Sequence, residues 1–227
     1  MNDPHTNFIT GTYLQAEGTW NTKYVNLSEA FKRKETPSQN GEGGLINDIF
    51  ERCLPQNKWC FEAGVGDGFN LSNTNYLLKN KGWNGVLIEN DPKNFDPLKE
   101  CYKGFDKVHI FYESLTEDNL ESYLNKCKVP LNFDLFSLDI DSPFDDKVWE
   151  NLKNYRPNLV CIEIDAFEHD LSVESFQPVI VESDGRVGGH SLGKMMRIAK
   201  QKGYDYLCAN YCNAFFIEPE FAKPIMI

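Results

Sequence analysis

The densest chemical signal in the chain is the stretch Glu62-Ala63-Gly64-Val65-Gly66-Asp67-Gly68. Glycines at alternate positions let the main chain come close to a ligand, and a helix following such a turn offers free N–H groups. A dinucleotide fingerprint, G-x-G-x-x-G, would need its third glycine at position 69, where Phe69 stands. The observed order is acid-x-Gly-x-Gly-x-Gly. A carboxylate in that place repels a pyrophosphate and attracts an ammonium group. The spacing therefore suits a ligand with an amino-acid end and a nucleoside end.

A second acid supports the same ligand. Glu89 ends the apolar stretch Gly85-Val86-Leu87-Ile88-Glu89, about 20 residues past the glycine turn, where Rossmann-type sites hold ribose hydroxyls. One carboxylate accepts two hydroxyl protons, and charge-assisted bonds are the strong ones. S-adenosylmethionine satisfies both acids. In Phe111-Tyr112-Glu113-Ser114, a polar side chain could reach the adenine amino group and an aromatic could pack on the ring. The expected cofactor set is Glu62, Gly64, Gly66, Gly68, Asn70, Ser72, Glu89, Asn90, Glu113, Ser114 and Asp139.

A reaction at the sulfonium of that ligand needs in-line geometry and a group that activates the acceptor. The candidates are Asp139, Asp141, Glu163, Asp165, His169 and His190, with Asp139, Asp141 and His190 as the expected catalytic set. Asp139 and Asp141 share a face if their strand persists, or flank its tip if it ends at Ile140. With Glu163 from the neighbouring strand they could hold a hard divalent ion and a substrate diol. Alternatively, Asp139 faces the sulfonium and Asp141 caps the next helix. His190 follows Gly188-Gly189 at a helix start, which keeps an imidazole neutral as a base requires; a capping or surface histidine is the alternative. His5 and His109 carry no such signal.

These residues need a frame. From residue 58 onward, strands are expected at 59–63, 85–89, 108–111, 134–140, 159–164, 204–209 and 213–217. A helix after Gly43-Gly44 carries Leu45, Ile46, Ile49, Phe50 and Cys53 at helical spacing and is stopped by Pro55. Further helices end at Lys81-Gly82, start near Pro92, and cover 115–126, 145–154 and 191–203. Strands separated by helices imply βαβ units and a mainly parallel sheet; strands apolar throughout imply cover on both faces. The expected fold class is α/β, one doubly wound domain, with its ligand beyond the carboxyl ends of the strands. Residues 1–40, polar and dotted with aromatics, read as an N-terminal arm or lid, and 41–227 as the Rossmann-like domain. Within the arm, Lys32-Arg33-Lys34 reads as a solvated helix end, with anion binding as the alternative.

Composition narrows the partners. In 227 residues, 23 Lys+Arg against 34 Asp+Glu give a net charge of −11. That disfavours nucleic acid and suits a neutral hydroxylated small molecule or glycan. No apolar run approaches the roughly 18 residues of a membrane span, and the first residues lack the basic start and apolar core of a secretory signal. Seven cysteines without CxxC pairs make a poor disulfide framework and point to a reducing, cytoplasmic setting. Cys60 and Cys161 read as small strand hydrophobes, and the Cys208/Cys212 pair as a weak metal signal.

From residue 38 to residue 221 the chain resembles the FkbM-like branch of class I S-adenosylmethionine-dependent methyltransferases. The matching pieces are Ser38-Gln39-Asn40-Gly41-Glu42, the Phe61 to Gly68 stretch with Leu71-Ser72-Asn73-Thr74, and Gly82-Trp83-Asn84-Gly85-Val86-Leu87-Ile88-Glu89. Further along come Ser137-Leu138-Asp139-Ile140-Asp141, Cys161-Ile162-Glu163 and Asn213-Ala214-Phe215-Phe216. The resemblance implies a seven-stranded sheet with its last strand antiparallel, O-methylation of a hydroxyl, often on a sugar or secondary metabolite, and a cofactor lined by Glu62, Gly64 and Glu89. The chain departs from the family pattern at Ser142-Pro143, where a glycine usually follows the second acid, and at Gly189-His190-Ser191, where Gly-Ala-Ser is usual. The competing classes are an inactive adenosyl-binding scaffold of the same fold and a Rossmann oxidoreductase, the latter disfavoured by Phe69 and Glu62.

Overall fold

Leu54, in the left-handed region at φ 53°, and Pro55 end the first helix, α1 (Glu42–Cys53), and turn the chain into β1 (Trp59–Ala63). The computed structural model describes residues 20–140, 145–164, 190–210 and 212–227. Beyond β1 come α2 (Asn75–Asn80), β2 (Asn84–Glu89), α3 (Pro92–Cys101), β3 (Val108–Tyr112), α4 (Leu120–Lys126) and β4 (Leu135–Leu138). They are followed by α5 (Asp145–Glu150), β5 (Leu159–Glu163), α6 (Leu192–Lys202), β6 (Asp205–Ala209) and β7 (Asn213–Ile217). The strands form one seven-stranded sheet in the order β3-β2-β1-β4-β5-β7-β6. Strands β1 to β5 pair in parallel, and β7 runs antiparallel to both β5 and β6.

Alternate residues of each central strand feed opposite layers. Phe61, Val86, Phe136, Val160 and Phe216 pack with Val148, Trp149, Leu192, Met195 and Ile198 of α5 and α6. Cys60, Leu87, Leu135, Cys161 and Phe215 face the other way, against Leu45, Ile46, Ile49 and Phe50 of α1 and Leu98 of α3. The doubly wound α/β fold is therefore present, with the last strand antiparallel.

Three expectations shift. Helix α4 starts at Leu120 rather than 115, because the Thr116 N–H donates to Asn119 Oδ1 at 2.8 Å and closes a side-chain turn that competes with helix. Strand β4 stops at Leu138, so Asp139 belongs to the loop beyond it; Asp141, Asp165 and His169 lie outside the described residues. The boundary expected at residue 41 separates no packing units among the described residues. Tyr24, Leu27 and Ala30 are buried with α1 and β7, the Asn21 N–H donates to the Leu207 carbonyl, and the Val25 N–H to that of Ile225.

Asp134, just before β4, is fully buried and ties three segments together. Its carboxylate accepts from the N–H groups of Gln56, Asn57 and Lys58 and from Asn158 Nδ2, at 2.6–2.9 Å. Asp134→Ala strands those donors and is expected to cost about 3–5 kcal/mol, read as a shift of the urea unfolding midpoint.

Two other carboxylates make the fold acid-labile. Burial opposes ionisation of Asp205, but hydrogen bonds from Lys23 and Tyr24 outweigh it and hold the carboxyl below its ordinary range. The same balance, with Lys194 and His190 as partners, lowers Asp146. A carboxylate lowered by folding adds stability above its unfolded pKa and loses it as pH falls through the folded value. Tm is therefore expected to decline as the pH drops below about 4, in a series of melts from pH 6 to pH 3.

Candidate cofactor site

The chain reverses direction across the sheet between β1 and β4, and a cavity of about 890 Å³ opens beyond the strand ends there. Gly64, Val65 and Gly66 line it from the turn after β1, Glu89, Asn90 and Asp91 from β2, and Glu113 and Ser114 from β3. Asp139 and Ile140 follow from β4 and Glu163 from β5. Five carboxylates line this cavity, those of Glu89, Asp91, Glu113, Asp139 and Glu163, and among its described lining residues there is no Lys or Arg.

The glycines do different jobs. At Gly64 (φ 74°) a Cβ would stand 1.5 Å from the Asp139 carbonyl oxygen, so glycine is what lets the β1 turn lie against the β4 loop. At Gly66 (φ 59°) the nearest atom would be 3.8 Å away, so that backbone faces open space. Gly68, expected at the cofactor, packs instead on Leu98 of α3 and Tyr102 just after it, and its carbonyl accepts from Asn75 Nδ2 and the Tyr102 hydroxyl. Asp67 stiffens the turn by accepting from the N–H groups of Phe69 and Asn70.

Glu89 lies at the centre of the wall. One oxygen accepts from the Gly66 N–H at 2.7 Å, the other from the N–H groups of Asn90 and Asp91 at 2.9 and 2.7 Å. These bonds fix the carboxylate beside the glycine turn, and the oxygen that accepts from Gly66 keeps lone-pair capacity for a hydroxyl. Asn90 reaches Ser114 at 3.4 Å, and Asp91 caps α3 by accepting from the Lys93 N–H. Val65, Leu71, Ile88, Leu115 and Ile140 supply the apolar part of the lining. The aromatics expected there are elsewhere: Phe111 packs on Tyr123, and Tyr112 on Phe95.

Glu62 is also displaced from its expected role. It is 3% exposed and does not line the cavity. Ser72 Oγ, Thr74 Oγ1 and the Asn73 N–H donate to it at 2.8, 2.6 and 2.7 Å. Burial pushes its carboxyl above the ordinary value, against the pull of those donors. Buried and held by these donors, Glu62 anchors the segment after the glycine turn and lies off the cavity wall where an ammonium group would be met. Ser72, committed to Glu62, is likewise off the cavity.

His190 is not on the cavity wall either. It is 2% exposed, with Nε2 3.0 Å from Asp146 and Nδ1 3.3 Å from Lys194, and the helix cap beside it is Ser191. A buried imidazole held between a carboxylate and an ammonium ties α5 to α6; the expected role as general base has no support in this geometry. Among the described residues no group of three His, Cys, Asp or Glu is placed to hold a metal ion; the expected Asp139, Asp141 and Glu163 set includes Asp141, which lies outside them. All seven cysteines are free thiols, with Cys208 buried in β6 and Cys212 bonded to Asn40. Among the described residues no helix is long and apolar enough to cross a membrane.

Sequence reasoning missed Gln39, Asn94 and Thr116, which also line the cavity. Gln39 is brought there by the bridge between Ser38 and Leu71, a long-range pairing with no local sequence signal.

This strand order, with the cavity at its reversal and a glycine turn on the wall, is the Rossmann-like fold shared by class I methyltransferases. No family model matches the chain, and no curated protein matches it in sequence. Among solved structures, a putative sarcosine dimethylglycine methyltransferase from Galdieria sulphuraria is 18% identical with a TM-score of 0.51, covering 73% of this chain and 62% of its own. The YcgJ protein of Bacillus subtilis is 13% identical with a TM-score of 0.51, covering 74% and 70%. An O-methyltransferase family 2 protein from Planctomyces limnophilus, in complex with apigenin, is 11% identical with a TM-score of 0.50, covering 78% and 57%. The chain thus spans less than two thirds of the first and third of these proteins.

Proposed function

We propose that this chain is an S-adenosylmethionine-dependent methyltransferase of the FkbM-like kind, transferring methyl to a hydroxyl of a small molecule or glycan. One observation carries the reading: the cavity at the strand reversal is lined by five carboxylates and, among its described residues, by no Lys or Arg. Phosphates would be repelled there, whereas a ligand with an ammonium and a sulfonium would be drawn in. The residues present fit that ligand. Glu89 would hold the ribose hydroxyls, the open backbone at Gly66 leaves room beside them, and Glu113 or Ser114 would meet the adenine amino group. Asp139 and Glu163, rather than Glu62, would face the cationic end.

When bound, S-adenosylmethionine supplies a methyl group activated by positive sulfur. The acceptor oxygen would form the new O–CH3 bond as the C–S bond breaks, the electron pair of that bond staying on sulfur, and the hydroxyl proton would leave to a carboxylate. Asp139 and Glu163 line the cavity and are the carboxylates that would take it.

The test is release of S-adenosylhomocysteine and appearance of a labelled methyl group on hydroxylated acceptors, compared with the same acceptors carrying an amine. Labelled ether products support O-methylation. Label on the amine alone overturns it, and cofactor binding without turnover on any acceptor favours the scaffold.

A further inference from the structure

A second cavity, about 470 Å³, adjoins the first and shares Gln39 with it. Its charge is opposite. On a chain of net charge −11, its described lining includes Lys32, Arg33 and Lys34 and no carboxylate. Lys32 is paired with Glu29, and Arg33 with Glu35 and Glu51. Lys34 makes no ion pair among the described residues. Thr36, 9% exposed, lines the same cavity, and its hydroxyl has no hydrogen-bond partner among the described residues. Trp20 and Phe31, meeting edge to face at 6.4 Å, give this cavity an aromatic wall.

We propose that the second cavity holds the body of the methyl acceptor, and that the acceptor is a hydroxylated aromatic monocarboxylate anchored by Lys34 and Thr36. The inference rests on the methyltransferase reading and narrows it to a substrate class. One uncommitted cation matches one negative charge, and a buried hydroxyl without a partner is a donor that a carboxylate would satisfy. The aromatic wall favours a flat ring over a sugar. The five acids of the neighbouring cavity repel the carboxylate end, so the acceptor enters in one orientation, with its hydroxyl past Gln39 toward Asp139 and Glu163. Lys34 and Thr36 are thus specificity residues with no part in the chemistry.

The experiment is calorimetry on the full chain saturated with S-adenosylhomocysteine, titrated with 4-hydroxybenzoate, 5-hydroxyindole-3-acetate and their neutral carboxamides. At least one acid is expected to bind roughly tenfold or more tightly than its amide. In Lys34→Met, an exposed position that leaves the fold intact, that preference should shrink to about twofold or less. Thr36→Val, which keeps the shape, should weaken the acid and leave the amide unchanged. Equal binding of acids and amides, binding of neither class, or a preference that survives Lys34→Met would overturn the proposal while leaving the cofactor site untouched. Failure of S-adenosylhomocysteine itself to bind would instead remove the methyltransferase reading, and this inference with it.

Discussion

Glu89→Ala is expected to weaken S-adenosylmethionine binding tenfold or more. Its carboxylate lies on the cavity wall, held by the N–H groups of Gly66, Asn90 and Asp91. Each charge-assisted hydrogen bond to a ribose hydroxyl is worth about 1.5–3 kcal/mol, and 1.4 kcal/mol is already a factor of ten. The substitution also frees three N–H groups, so the loop after β2 should loosen. Isothermal titration gives the affinity, and a melt of the same sample separates lost binding from lost folding. Wild-type affinity in a folded Glu89→Ala protein would remove the ribose assignment.

Asp139→Asn is expected to lower kcat by roughly 10²–10⁴, the range for loss of a positioned proton acceptor. The amide is nearly isosteric, so the main-chain contact that fits Asp139 against Gly64 survives. Cofactor affinity should change less than turnover does, because Glu163 on β5 also lines the cavity and would face the cationic end of the ligand. A pH–rate profile on both proteins separates the roles. Loss of the acidic limb in Asp139→Asn assigns the proton to Asp139, and an unchanged limb moves it to Glu163. Glu163→Gln completes the comparison.

Much of this arrangement was legible in the residues themselves. The strands are apolar throughout because both of their faces are covered, and that pattern persists whatever the loops do. Glu89 could be read because an acid at the end of the second strand has a fixed relation to the first turn in this topology. Glu62 could not be read in the same way. Its neighbours Phe61 and Ala63 point to the α5/α6 layer, so Glu62 turns to the other layer, beneath the segment it was expected to serve. The signal was present but indirect, in the run Ser72-Asn73-Thr74, whose donors are the partners a buried carboxylate requires.

Loop-borne positions were less accessible. Asp139 was expected within a strand, but β4 ends one residue earlier, where the Gly64 turn crosses it. His190 looked like a rim residue from its flanking glycines, yet its ring is claimed by Asp146 and Lys194, which sit on two different helices. The basic triplet read as a solvated helix end because sequence shows charge without partners. In three dimensions two of its members are neutralised and the third is left facing a cavity.

The central claim is that the acid-lined cavity selects a sulfonium ligand over a phosphate-bearing one. The most direct measurement is a pair of calorimetric titrations of the wild-type chain, one with S-adenosylmethionine and one with NAD. The account predicts saturable binding of S-adenosylmethionine at a single site and no binding of NAD. Binding of NAD without S-adenosylmethionine would contradict it.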